Sequence, residues 1–255
     1  MSGASAEAAP TAEAAGPSGL RPAAFCAAVA AADHDQDARV LVRYALFAAV
    51  AGLLLTIGSI RFLPGWPGAA LASGQGLICC AVMLSRRPSR WLANIVVFGL
   101  AAGLAELAAD AWLVRGVEVL RYPAGPSLLA SPAYMPVAWL GMLSAGIALG
   151  EVLRRRLPLA ASSVLVAAAM GVYVPLYEAL AAHAGWWTYE RGPRAIGAVP
   201  VFIVLGEALL ALPLVAVSGR LTRAGAAEAA GWGALQGLWI FASYGLAFEI
   251  CAAFG

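Results

Sequence analysis

Seven apolar stretches follow one another along this chain, at about 40–60, 68–85, 91–114, 133–153, 159–183, 198–218 and 230–253. A helix needs ~20 apolar residues to cross a bilayer, with ~17–25 workable. Backbone groups in lipid must pair within their own segment, so each stretch is forced into a helix. The expected fold is all-α: a polytopic membrane protein of about seven transmembrane helices over residues 39–255. Composition agrees. Only 12% of the 255 residues are charged and 62% are hydrophobic, against about 25% charged in ordinary soluble domains. Mean hydropathy is +0.82. Soluble enzymes, nucleic-acid binders and secreted disulfide scaffolds are excluded.

All 16 basic residues are arginine. Schiff-base chemistry needs a lysine amine, so retinal-binding rhodopsins and pyridoxal enzymes are excluded, as is a P-loop ATPase. The net charge of +2 supplies no global field for a polyanion, and no nucleic acid is expected as partner. Cys26, Cys79, Cys80 and Cys251 lack metal or redox spacing and read as small hydrophobes.

Residues 1–38 read as a disordered or interfacial tail, rich in Ala, Ser, Gly and Pro and without apolar periodicity. The run 22–32 is a candidate short helix on the membrane surface. The tail lacks the basic start and apolar core of a signal peptide. Arginine placement sets the orientation. Eleven arginines lie in the tail and in the loops after spans two, four and six, against five on the other side. The N-terminus is therefore expected in the cytoplasm, with the protein in a bacterial inner membrane. The bacterial assignment rests on arginine codons alone.

Two segments share an order of residues that suggests a parallel two-helix repeat. In one, Glu106 and Asp110 precede Tyr122–Pro126 and Pro132; in the other, Glu178 and His183 precede Tyr189–Pro193 and Pro200. Both hold Tyr-x-x-Gly-Pro. Seven residues beyond each later proline stands Trp139 or Glu207. A parallel repeat places a site between its halves.

Carboxylates within spans are the candidate chemistry. Each costs about 2.5–3.5 kcal/mol at the bilayer centre, so such groups usually face the bundle interior. Glu106, Asp110, Glu178, Glu207 and Glu249 fall within expected spans. Glu106 and Asp110, four apart, share a helix face, whereas Glu178 and His183, five apart, diverge. A neutral, desolvated carboxyl can donate a proton as a general acid, and several carboxyls can divide acid and base roles. Aromatic faces stabilise cations by roughly 0.5–2 kcal/mol apiece. Trp139 and Tyr177 lie inside spans and are the better candidates for a pocket lining; Trp186, Trp187 and Tyr189 also suit an interfacial belt. The competing account has these acids pairing with Arg115, Arg191 or Arg194, or only packing helices. No metal site or cofactor is expected: zinc sites draw on several His or Cys, and His34 and His183 are the two histidines of the chain.

Glu178, Trp187, Tyr189, Gly192, Pro193, Gly197 and Pro200 follow a pattern that resembles integral-membrane carotenoid-modifying enzymes. These are the heterodimer-type lycopene cyclases and the bisanhydrobacterioruberin-type carotenoid hydratases. Glu106, Tyr122, Gly125, Pro126, Pro132, Pro136 and Trp139 are similar to the hydratase pattern. The cyclases carry an acidic pair directly after the proline, where this chain has Val201 and Phe202. The resemblance implies metal-independent acid–base work on an isoprenoid C=C bond, with Glu178 or Glu106 as acid and Glu207, Asp110 or His183 as base or water-positioning group. Trp139, Tyr177, Trp187, Tyr189 and Glu249 would contact an apolar, isoprenoid-like small molecule. A proton-coupled transporter or small-molecule binder, and a membrane scaffold, remain the alternatives.

Overall fold

The computed structural model describes residues 22–190 and 194–254. The tail stretch 1–21 lies outside them, as do Arg191, Gly192 and Pro193 of the second Tyr-x-x-Gly-Pro motif. The chain divides into two units, Met1–Asp35 and Gln36–Gly255. Among the described residues seven helical segments are long and apolar enough to cross a membrane. The helices are α1 (Pro22–Phe62), α2 (Trp66–Arg86), α3 (Arg90–Ala111), α4 (Met135–Arg154), α5 (Leu159–His183), α6 (Val201–Ala211), α7 (Leu214–Leu221) and α8 (Ala226–Ala253). The protein is an all-α polytopic membrane protein. Side chains such as Phe47, Leu54, Val172 and Leu176 stay more than half exposed, as a surface solvated by lipid requires.

Helix α1 begins at Pro22, where the sequence predicts a short helix over 22–32, and runs unbroken past residue 38; Asp37 is buried. Asp37 accepts from Arg87 Nε at 2.6 Å and from the Ser89 hydroxyl. Buried charge persists only where it is paired and hydrogen-bonded, so this cluster ties α1 to the α2–α3 turn. The sixth span was read as one helix, yet it breaks between α6 and α7 at Pro213. Proline cannot donate to the carbonyl four residues back, that of Leu209. Trp239 Nε1 donates to the Leu209 carbonyl at 3.1 Å, and Gln236 Nε2 to the Leu210 carbonyl at 2.9 Å. The Leu209 carbonyl also accepts from the Leu212 N–H at 3.2 Å, so helix α8 adds to the local bond there and supplies a donor to Leu210.

Helices α3 and α8 form the tightest pair. A Cβ on Gly233 would stand 2.3 Å from the Phe98 carbonyl oxygen, and one on Gly237 would stand 2.5 Å from Ala105 Cβ. Close approach through small residues is how helices gain packing in a membrane, where no hydrophobic drive separates them from lipid.

The α3–α4 and α5–α6 connections hold three short antiparallel pairs. β2 (Ser127–Leu128) pairs with β3 (Ser131–Pro132), and β5 (Ala195–Ile196) with β6 (Val199–Pro200). Each hairpin has a two-residue turn whose first residue is left-handed: Leu129 at φ 56° and Gly197 at φ 63°. β1 (Leu120–Arg121) pairs with β4 (Thr188–Tyr189), joining the two connections across the end of the bundle.

Candidate active site

Four of the five candidate carboxylates line one cavity of about 400 Å3 inside the bundle. Glu106 and Asp110 come from α3, Glu178 from α5 and Glu207 from α6. Glu106, Asp110 and Glu207 are at most 4% exposed and Glu178 is 8% exposed. Among the described residues no arginine or histidine lines the cavity.

Each carboxylate is held differently. Tyr122 donates its hydroxyl to Asp110 at 2.7 Å. Glu178 Oε2 accepts from Trp187 Nε1 at 2.5 Å and from the Tyr189 hydroxyl at 3.0 Å. Glu207 Oε1 accepts from the Tyr244 hydroxyl at 2.6 Å, while its Oε2 is buried without a partner. Glu106 Oε2 is likewise buried and unpartnered. Burial first, and then the neighbouring carboxylates, hold the phenols of Tyr122 and Tyr189 well above the ordinary tyrosine range. Both therefore stay protonated and act as donors.

Aromatic residues close the chamber. Trp139, Tyr177, Trp187 and Tyr189 all line it. Trp187 and Tyr189 are drawn inward by Glu178 rather than serving in an interfacial belt. Trp186 is also buried, its indole donating to Ser59 Oγ at 2.9 Å. Tyr177 stacks on Tyr173 at 5.8 Å and tilts against Trp187 at 6.1 Å.

His183 and Glu249 do not join this group. Both are exposed and neither lines the cavity. His183 Nδ1 donates to the Ala179 carbonyl at 2.6 Å in its own helix. Each stands five residues after a lining residue, His183 after Glu178 and Glu249 after Tyr244. At about 100° per residue, five steps turn a side chain roughly 140° from that face.

The repeat is present with a changed alignment. Asp110, not Glu106, is the counterpart of Glu178. Each lies 22 positions before its hairpin proline, Pro132 or Pro200. Each accepts from the tyrosine that opens its Tyr-x-x-Gly-Pro motif. Trp139 and Glu207, at matching places on α4 and α6, both line the cavity. Glu106 has no carboxylate counterpart, since Val174 stands four residues before Glu178.

Tyr244 is a site residue that the sequence analysis does not single out. Its signal was a tyrosine deep in an apolar run, where a buried hydroxyl usually needs a partner. Among the described residues no group of three or more His, Cys, Asp or Glu is arranged to hold a metal ion.

Residues 107–251 match the family described as a domain of unknown function, DUF6989. The chain belongs to the DUF6989 family. The matched span takes in Asp110, Glu178, Glu207 and Tyr244 and begins one residue after Glu106. No curated protein and no solved structure matches the chain.

Proposed function

We propose that this protein is a membrane-embedded enzyme that acts on an isoprenoid C=C bond by carboxylate acid–base catalysis, giving cyclisation or hydration. One observation carries the reading: four buried carboxylates from three helices face one aromatic-walled cavity that, among the described residues, no cation lines. Such a wall suits a carbocation, because carboxylates and aromatic faces both stabilise positive charge.

The roles follow from the hydrogen bonds. Glu106, with an oxygen uncommitted to any donor, is the acid. Its O–H proton adds to an alkene carbon and leaves a cation on the neighbouring carbon. Glu178, held by Trp187 and Tyr189, is the anion that faces the cation. An internal alkene or a water then traps the cation. Glu207 takes up the proton that the trapped product releases. The cycle needs no oxidant or reductant, and Asp110 beside Glu106 relays a proton back to it.

Mass analysis of lipids extracted from cells with and without the gene tests this reading. The expected result is an isoprenoid product of unchanged mass, or of mass raised by one water, that is lost in the Glu106→Gln and Glu178→Gln variants. Unaltered isoprenoids alongside a folded, membrane-inserted protein would count against it.

The break at Pro213 favours a second reading, a proton-coupled transporter. Interrupted spans beside a midplane carboxylate, here Glu207, are a transporter feature. Uptake into proteoliposomes that follows an imposed pH gradient would support it. In either reading the arginine-rich loops after α2, α4 and α7 face the cytoplasm of a bacterial cell. Thiol labelling of single-cysteine variants from either side checks that orientation.

A further inference from the structure

The cavity does not stop at the carboxylates. Helices α3, α6 and α8 contribute lining only near the loop end, through Glu106, Asp110, Glu207 and Tyr244 among others. Helices α1, α2, α4 and α5 carry it further into the bundle. From α4 the lining is Ala138, Gly141, Met142, Ala145 and Leu149, one face of the helix. From α1 it is Ala45, Ala48, Ala49, Gly52 and Leu53, with Thr56 at the carboxylate end. Along either helix the lined stretch measures about 17 Å at 1.5 Å per residue. Away from the carboxylates the α1 and α4 walls hold small or apolar side chains, and α2 adds Ala72, Ser73, Gln75 and Gly76. A Cβ on Gly141 would meet no atom within 4 Å, so this part of the wall faces open space.

The buried, unpartnered Glu106 Oε2 closes one end of this arm. We infer that the arm holds the linear tail of an isoprenoid chain whose reacting end lies at Glu106, and that Gly141 and Ala145 set how long that tail can be. The inference rests on the acid–base reading for the identity of the chain. Extended carbon chains advance about 1.3 Å per carbon with C–C bonds near 1.5 Å. The arm therefore takes about 13 main-chain carbons, or roughly three isoprene units beyond the reacting bond. The aromatic residues gather at the carboxylate end, where charge would develop. Small residues along the rest leave room for a chain, and the polar side chains there are Ser73 and Gln75 of α2.

The test reads binding rather than turnover, so it stands apart from the chemistry. Detergent-solubilised protein is mixed with linear prenyl alcohols of two, three, four and six isoprene units, and bound alcohol is measured by native mass spectrometry. Occupancy is expected to peak at three or four units in the unaltered protein. In Gly141→Phe and Ala145→Phe the peak should move at least one unit shorter, with about tenfold less of the four-unit alcohol bound. Leu165→Phe, on an exposed position that does not line the cavity, should leave the profile unchanged. Gly141→Leu serves where the larger side chain impairs folding. The same length profile in every folded variant overturns the inference, as does resident phospholipid that no prenyl alcohol displaces. A shifted profile together with unaltered isoprenoids in cells would keep the tail arm and remove the acid–base reading. Alkene chemistry with no length shift would do the reverse.

Discussion

Asp110 and Glu178 occupy equivalent positions in two successive helical hairpins, and each accepts a hydrogen bond from the tyrosine that opens the following loop. The two loops are themselves paired, Leu120 with Tyr189 and Arg121 with Thr188. One carboxylate–phenol unit is thus presented twice toward a single cavity. The repeat breaks where Glu106 has no carboxylate counterpart in the second hairpin and where Trp139 stands in one hairpin at the place of Glu207 in the other. An asymmetric reaction needs such a difference between otherwise matching halves.

Glu178→Gln keeps the size of the side chain and removes its charge. Turnover should fall by about 10²–10⁴-fold, the usual worth of a positioned acid or base. Tyr189→Phe leaves Trp187 still donating and should cost about tenfold. Product quantified per milligram of monodisperse protein separates loss of chemistry from loss of fold.

Tyr122→Phe removes the hydroxyl that donates to buried Asp110. A buried acceptor left without its donor costs about 1–3 kcal/mol. The thermal midpoint of the detergent-solubilised protein should drop accordingly, and Tyr122→Phe with Asp110→Asn should recover part of the loss.

Leu129 and Gly197 hold the same left-handed turn position in the two loop hairpins. Left-handed backbone costs a non-glycine residue about 1–2 kcal/mol. Leu129→Gly should therefore raise stability by up to about 1 kcal/mol, tempered by the freedom glycine adds to the unfolded chain. Gly197→Leu should lower it. Paired melting curves of the two variants would test the equivalence; a destabilising Leu129→Gly would refute it.

Alkaline stability should reflect the buried phenols. Tyrosine in an unfolded chain titrates near pH ~10, and burial holds Tyr122 and Tyr189 well above that in the fold. Between the two values the folded state retains protons that the unfolded state has lost, so stability falls as pH rises. Their contribution is complete below about pH 10 and is lost as pH climbs through the folded value. The double Tyr122→Phe, Tyr189→Phe variant should show a shallower alkaline decline, followed by tyrosinate absorbance and circular dichroism.

Gln236→Leu removes the donor that covers the Leu210 carbonyl at the break in the sixth span. Hydrogen bonds between helices in membranes are worth about 0.6–1.7 kcal/mol. A loss of that size in a denaturant titration is expected, and an unchanged midpoint would mean that another group covers the carbonyl.

The chain by itself determined its class and its candidates. Lipid forces apolar runs of this length into helices, and it penalises carboxylates that have no interior to face. Both rules act locally, so seven spans and a short set of acids could be read directly from the residues. The existence of two related loops was legible for the same reason, because Tyr-x-x-Gly-Pro recurs in the linear order. Tertiary structure alone decided which acids meet. Glu207 turns inward and Glu249 outward because each step along a helix rotates a side chain by about 100°, and only the neighbouring helices define which direction is inside. The pairing of Asp110 rather than Glu106 with Glu178 likewise depended on where two loops fold back to set their tyrosines. At the break by Pro213, Gln236 and Trp239, more than twenty residues away in sequence, reach the Leu210 and Leu209 carbonyls, the latter alongside the local Leu212 N–H.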